Sequence, residues 1–164
     1  ASCLFASFHG DTNGLATKPI VGAVHSVLKA KYEGHRFVFG LDANTYEAPA
    51  SDKFLGVADF AADFRAKGLT SCFSDEPDPS NYTTFNARTY LQPQLNKACP
   101  SARKLEMGDV NPKDHIVFSR GAFESVRVIK DNTGHGEYVE GVCFPSLRFP
   151  SDHGLLAAVL RPKL

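Results

Sequence analysis

The chain has 164 residues, of which 43% are hydrophobic and 13 are phenylalanine, enough to fill the core of one ordinary domain. Its 18 basic and 18 acidic residues give a formal net charge of zero, which excludes a global positive field that would attract a polyanion. No apolar run is long enough to cross a bilayer and no signal-peptide pattern precedes the first strand, so we expect a soluble, intracellular protein without a membrane span.

The first half of the chain alternates strands and helices. Four elements are expected in order: a strand Cys3–His9, a helix from Thr17 to about Gly34, a strand Arg36–Leu41 and a helix from about Asp52 or Phe54 to Lys67. Thr17 is a residue type that caps helices, and apolar residues then recur at spacings of three and four, which is typical of an amphipathic helix. Gly68 is a stop signal for the second helix.

The second half of the chain is richer in loops and β structure. Strands are expected at His115–Ser119, Phe123–Ile129 and Leu155–Leu160, with turn formers concentrated at 74–81 and 131–136. The stretch Thr83–Leu95 has no clean period. Its aromatic residues either pack on a sheet edge or stack on a base, and Arg88 in the same stretch is a candidate to bind a substrate phosphate.

Polar side chains of types that take part in catalysis lie at three strand ends. Asp42 and Asn44 follow one apolar strand, Asp114 opens another, and Asp152 and His153 precede the last. Strand ends hold side chains in fixed positions, so these groups could form one site. The alternative is that they only cap turns, which is a common use of Asp, Asn and Ser.

The order of these residues resembles a known family. Asp42 with Asn44, Asp114 before a hydrophobic strand, and Ser151–His153 before the last strand are similar to the carboxy-terminal half of the endonuclease/exonuclease/phosphatase superfamily, which includes deoxyribonuclease I. The resemblance implies an α+β fold that is half of a four-layer α/β/β/α sandwich, with a mixed, mostly antiparallel sheet and covering helices. Residues 1–164 would then form a single region, the carboxy-terminal half of a deoxyribonuclease I-like domain.

The resemblance also implies catalytic roles. His153 would pair with Asp114, which would fix the imidazole tautomer and favour the charged form that stabilises a phosphoryl transition state. Asp152 would ligate Mg²⁺ or Mn²⁺, because carboxylate oxygens suit hard cations. Asp42 would orient or deprotonate the attacking water, and Asn44 would hold that water or a phosphate oxygen.

Two further positions are carried over less directly. His9, at the end of the first strand, matches a second active-site histidine in some family members, although a structural role fits the same position. Asn13 is a candidate phosphate contact. Because side chains alternate along a strand, His115 is expected to face away from the site if Asp114 faces it.

The resemblance implies a divalent-metal-dependent phosphoesterase that acts on a phosphorylated substrate, either a nucleic acid or a small phosphorylated molecule. In the family, further metal ligands come from the amino-terminal half, so we expect the chain alone to bind Mg²⁺ weakly and to be inactive or nearly so. The missing half, or another chain, would cover an apolar face of the sheet. The alternative is a non-catalytic structural or interaction subunit that keeps the half-domain fold.

Overall fold

A computed structural model describes residues 2–85 and 109–163 of the chain. Within these residues there are two helices and eight strands, and the fold is α+β as predicted. The helices are α1 (Thr17–Lys31) and α2 (Val57–Ala66). The strands are β1 (Cys3–His9), β2 (Arg36–Asp42), β3 (Leu69–Ser71), β4 (Thr84–Phe85), β5 (Val110–Asn111), β6 (Asp114–Ser119), β7 (Phe123–Asp131) and β8 (Leu155–Pro162). Arg88 and most of the stretch without a clean period lie outside the described residues.

The strands form one mixed sheet and two short antiparallel ones. The four-stranded sheet has the order β1-β2-β6-β3, in which β1 is parallel to β2 while β6 is antiparallel to both of its neighbours. Strands β4 and β5 pair with each other, as do β7 and β8. The predicted mixed, mostly antiparallel sheet with covering helices is confirmed.

The second helix begins later than the sequence pattern predicted. The backbone N–H of Val57 donates to Tyr46 O at 2.9 Å, and Tyr46 N–H donates to Leu55 O at 2.9 Å. These bonds hold residues 55–57 against Tyr46 in an extended conformation, so helical geometry starts only at Val57. At the other end, Gly68 has a φ of +71°, a left-handed conformation that suits glycine and ends the helix as predicted.

Both helices pack on one face of the four-stranded sheet, here called the helix-covered face. On the sheet side its members are Phe37, Phe39, Leu41 and Val117, all at most 5% exposed. Val21 and Leu28 from α1, with Phe60, Ala61 and Phe64 from α2, complete this core. Because the β2 contribution comes from every second residue, the intervening residues must face the opposite side of the sheet.

The opposite face of the sheet, here called the open face, includes Phe5, Val38, Ile116 and Phe118. The β7–β8 hairpin covers the part near β6, where Phe118 packs with Phe123 and the strand β8 contributes partly buried apolar side chains. At the β1 end, Phe5 remains 73% exposed. Residues 2–85 and 109–163 therefore leave this face incompletely covered.

Neither helix in the part of the chain that the structure describes combines the length and the apolar character needed to span a membrane.

Candidate functional site

Three site residues form one row across the four-stranded sheet. The β1–β2 register places His9 beside Asp42, and the β2–β6 register places Asp42 beside Asp114. All three residues occupy positions whose side chains face the open face, since their neighbours Phe8 and Leu41 face the helices. Backbone pairing alone therefore brings together groups that are far apart in the sequence.

His153 joins this row from the loop before β8. Its Nδ1 lies 2.9 Å from Asp114 Oδ2, and its Nε2 lies 4.0 Å from Asp42 Oδ2. A carboxylate only accepts hydrogen bonds, so Nδ1 carries the proton and donates to Asp114. The structure thus brings together the imidazole and the two acids that the sequence proposed as partners.

The surroundings of His153 favour its charged form. Partial burial by itself would lower the pKa of the imidazole, but the hydrogen bond that it donates to Asp114, the negative charge of Asp114 and that of Asp42 outweigh this effect. Together they raise the pKa of His153 to about 9. At neutral pH the group is therefore an imidazolium directed at the space beside Asp42.

Asp42 is held by its neighbour Asn44. The Asn44 backbone N–H donates to Asp42 Oδ1 at 2.9 Å, and its side-chain amide donates to Oδ2 at 3.0 Å. This double contact uses a φ of +48° at Asn44, a conformation that asparagine tolerates. Burial raises the pKa of Asp42 above its ordinary value, the charge of Asp114 raises it further, and the charge of His153 opposes the shift.

Lys113, directly before Asp114, supports Asn44 from the interior. Its Nζ donates to Asn44 Oδ1 at 3.2 Å, lies 3.2 Å from Asp109 Oδ2 and stands 4.8 Å from the centroid of the Tyr46 ring. The side chain is 0% exposed. This role was not predicted from the sequence, because lysine is usually exposed and only its position before Asp114 could have drawn attention to it.

Of the other predicted residues, His9 borders this cluster, whereas Asp152 is not among the three residues whose ligand atoms lie together. His9 has its Nδ1 3.8 Å from Asp42 Oδ2, and its side chain is 84% exposed. Asp152 is partly buried but forms no hydrogen bond or ion pair with any residue in 2–85 or 109–163, so its metal-ligand role stays a prediction. Asn13 lies in the loop after β1, and a Cβ at Gly14 would approach Asn44 O to 2.7 Å, which places this loop against the site.

His115 faces away from the site, as strand alternation predicted. Its ring stacks edge-on against Phe60 with centroids 5.1 Å apart, on the helix-covered face. Its Nε2 lies 2.9 Å from Thr45 Oγ1 and 3.0 Å from Pro112 O. Burial lowers the pKa of His115 to about 4, so this imidazole is neutral at physiological pH.

The acids of the cluster fit a hard divalent cation. One ligand atom each from Asp42, Asp114 and His153 lies within 4.8 Å of the others. Mg²⁺ is commonly bound through one or two carboxylates and several waters, and each carboxylate oxygen here keeps lone pairs beyond its hydrogen bond. His153 Nδ1 donates to Asp114, and the raised pKa of His153 keeps Nε2 protonated at neutral pH, so the carboxylates are the ligands that this arrangement leaves for a metal.

Comparison with known proteins adds no family: no model of a protein family matches the chain, and no curated protein matches it significantly.

Proposed function

We propose that this chain contributes the carboxy-terminal half of the active site of a divalent-metal-dependent phosphoesterase, and that it forms half of a four-layer sandwich. The observation that supports this best is the 2.9 Å hydrogen bond between His153 Nδ1 and Asp114 Oδ2, with Asp42 on the other side of the ring. An imidazole fixed by one acid and next to a second is a suitable arrangement for phosphoryl transfer.

Each group has a role in the proposed reaction. The imidazolium of His153 stabilises the negative charge that develops on the phosphoryl oxygens, and Asp114 holds the ring in place by accepting a hydrogen bond from its Nδ1–H. Asp42, whose pKa is raised by burial, accepts the proton of the attacking water. Asn44 fixes the direction of the Asp42 carboxylate through its two hydrogen bonds.

Asp152, together with the free lone pairs of Asp42 and Asp114, would hold Mg²⁺ or Mn²⁺, with the other ligands supplied by a second polypeptide segment. A bound cation supplies positive charge to the phosphoryl oxygens and lowers the pKa of its bound water. We expect the chain alone to bind Mg²⁺ weakly, which calorimetric titration would measure.

The test is hydrolysis of a generic phosphodiester with Mg²⁺, both by the chain alone and by the chain joined to any polypeptide encoded upstream of it. His153→Ala and Asp114→Asn should each lower the rate on the order of 10²–10³-fold, the range for loss of a group that stabilises transition-state charge. The matched control is His135→Ala, because His135 is an exposed imidazole in the turn after β7 and should leave the rate unchanged.

Absence of hydrolysis under every condition would favour the second candidate, a non-catalytic interaction subunit. One observation supports that candidate. Phe5 and Val27, both exposed, line an apolar groove of about 360 Å³ between β1 and α1, at the open edge of the four-stranded sheet. Surfaces of this kind commonly bind another protein.

We infer that the uncovered β1 end of the open face also needs a partner in the catalytic protein. The proposed occupant is the other half of the sandwich, whose sheet would pack face to face on Phe5 and its neighbours. A cavity of about 390 Å³ runs along this face from Ser7 and His9 past Asp42 to Leu156, so the same partner would border the catalytic row.

A further inference from the structure

Thr83 is a buried residue that three different segments of the chain contact. It lies directly before β4 and is 1% exposed. Its backbone N–H donates to Asn111 O at 3.0 Å, which ties it to β5. Its other polar atoms bind the two segments that carry Asp114 and His153. None of the roles assigned above includes this residue.

The hydroxyl of Thr83 fixes the start of β6. Thr83 Oγ1 accepts hydrogen bonds from the backbone N–H groups of Lys113 at 2.9 Å and of Asp114 at 3.0 Å. A hydroxyl oxygen has two acceptor lone pairs, so both are used. These N–H groups come just where β6 begins, and without Thr83 they would be buried donors with no partner.

The carbonyl of Thr83 fixes the loop that ends in His153. Thr83 O accepts from the backbone N–H of Gly154 at 2.7 Å, and Gly154 directly follows His153. The approach is close, since a Cβ at Gly154 would lie 3.4 Å from both Thr83 O and Asp131 O. One residue therefore binds the backbone beside the acid and the backbone beside the imidazole.

Sheet pairing does not make this connection in the described part of the chain. Strand β6 belongs to the four-stranded sheet, whereas β8 pairs only with β7 in a separate sheet. The β2–β6 pairing that aligns Asp42 with Asp114 thus does not include His153. In the described residues, both backbones bind Thr83: the one beside Asp114 binds its hydroxyl, and the one beside His153 binds its carbonyl.

We propose that Thr83 is a positioning residue that sets the separation between the Asp114 carboxylate and the His153 imidazole. Its catalytic significance rests on the proposed phosphoesterase function, but the positioning itself can be measured without any reaction. Threonine suits the role, because β-branching restricts its χ1 rotation and so holds the hydroxyl in one direction. Valine has the same shape but offers no acceptor to the two N–H groups.

Three variants separate positioning from general stability. Thr83→Val removes the acceptor, Thr83→Ser keeps it, and Thr84→Val is the matched control. Thr84 is a neighbouring buried threonine whose Oγ1, among residues 2–85 and 109–163, exchanges hydrogen bonds only with Asn111. All three are examined by NMR in metal-free buffer, through the downfield resonance of the His153 Nδ1 proton and the hydrogen-exchange rates of the Asp114 and Gly154 amides.

Thr83→Val should lose the Nδ1 proton resonance through faster exchange with water, and its Asp114 and Gly154 amides should exchange at least roughly tenfold faster than in the wild type. Thr83→Ser should restore both properties, and Thr84→Val should keep them even where it lowers the midpoint of unfolding. An unchanged Nδ1 resonance in folded Thr83→Val would overturn the proposal.

If Thr83→Val does not fold, the wild-type chain gives the answer. The amides of Lys113, Asp114 and Gly154 should then have matching protection, because they open together when Thr83 moves. Free exchange of Gly154 beside a protected Asp114 would refute the shared attachment. These results are independent of hydrolysis: an inactive wild type with the expected NMR behaviour removes the phosphoesterase proposal and leaves the positioning role intact.

Discussion

The two faces of the four-stranded sheet differ in completeness and in chemistry. The helix-covered face is closed, with Phe37, Phe39 and Val117 all nearly inaccessible, and it contains a neutral imidazole in His115. The open face carries the acids, the charged imidazole of His153 and the exposed Phe5. Successive side chains of one strand thus alternate between the stabilising core and the candidate site: on β6, Asp114 faces the site and His115 faces the core.

The largest expected loss of stability comes from making a cavity in the core of the helix-covered face. Phe60→Ala removes a fully buried ring that contacts both Phe64 and His115. The lost burial and the remaining cavity should lower the free energy of unfolding by about 4 kcal/mol. Urea denaturation measures this value. A loss below about 1 kcal/mol would contradict the assignment of the stabilising core to this face.

The next effect concerns the strand ends, where Lys113 links the interior to the site. Lys113→Met leaves the Asp109 carboxylate buried without its cation and should cost about 3 kcal/mol of unfolding free energy. The matched control is Lys67→Met, which breaks the ion pair between Lys67 and Asp63. This pair is also i,i+4 but is partly exposed, so its loss should cost less than about 1 kcal/mol of unfolding free energy. Equal losses in the two variants would argue against a special role for the buried pair.

The pH dependence of stability should separate the two histidines, because their pKa shifts have opposite signs. The folded pKa of His115 is about 4 against an ordinary value of 6.5, so the unfolded chain binds more protons between these values. Stability should therefore fall as the pH drops below 6.5, by roughly 1–2 kcal/mol before other groups titrate.

The folded pKa of His153 is about 9, above the ordinary value of 6.5. Its stabilising contribution is therefore fully present below pH 6.5 and is lost as the pH rises through 9. Unfolding midpoints in metal-free buffer should show both declines in the wild type. In His153→Gln the decline on the alkaline side should disappear while the acidic one remains, and persistence of the alkaline decline would place its origin elsewhere.

The smallest effect on stability is expected on the open face. Phe5→Ser changes a side chain that is 73% exposed and should alter the unfolding free energy of the chain by less than about 0.5 kcal/mol. It should nevertheless weaken binding of a covering half-domain by roughly tenfold, measured by sedimentation or calorimetric titration. Unchanged binding would mean that the covering partner lies elsewhere.

The sequence predicted the long elements well because their patterns are local. Strand β1 has the predicted bounds, and β2, β6, β7 and β8 differ from prediction only at their ends. The short strands β3, β4 and β5 were not predicted. They contain two or three residues each, which is too few for a periodic pattern to be visible in the sequence. They form because β3 pairs with the longer strand β6, and β4 and β5 pair with each other.

Site residues at strand ends could be predicted from the sequence. Site residues whose role depends on being buried against distant parts of the chain could not. Asp42, Asp114 and His153 follow from their positions beside apolar runs, and the structure brings them together. Lys113 and Thr83 act through contacts with residues far away in the sequence, which no local pattern encodes. Arg88 lies outside the described residues, and Asp152 is not among the three residues whose ligand atoms lie together.

The registers that place His9, Asp42 and Asp114 in one row also bear on how the protein folds. Partners this distant along the chain meet late, because loop closure must come before long-range pairing. We therefore expect the contact between Asp114 and His153 to form only after β6 has paired with β2 and β8 with β7. The resonance of the His153 Nδ1 proton is therefore a natural marker of completed folding, usable in any refolding experiment without an added label.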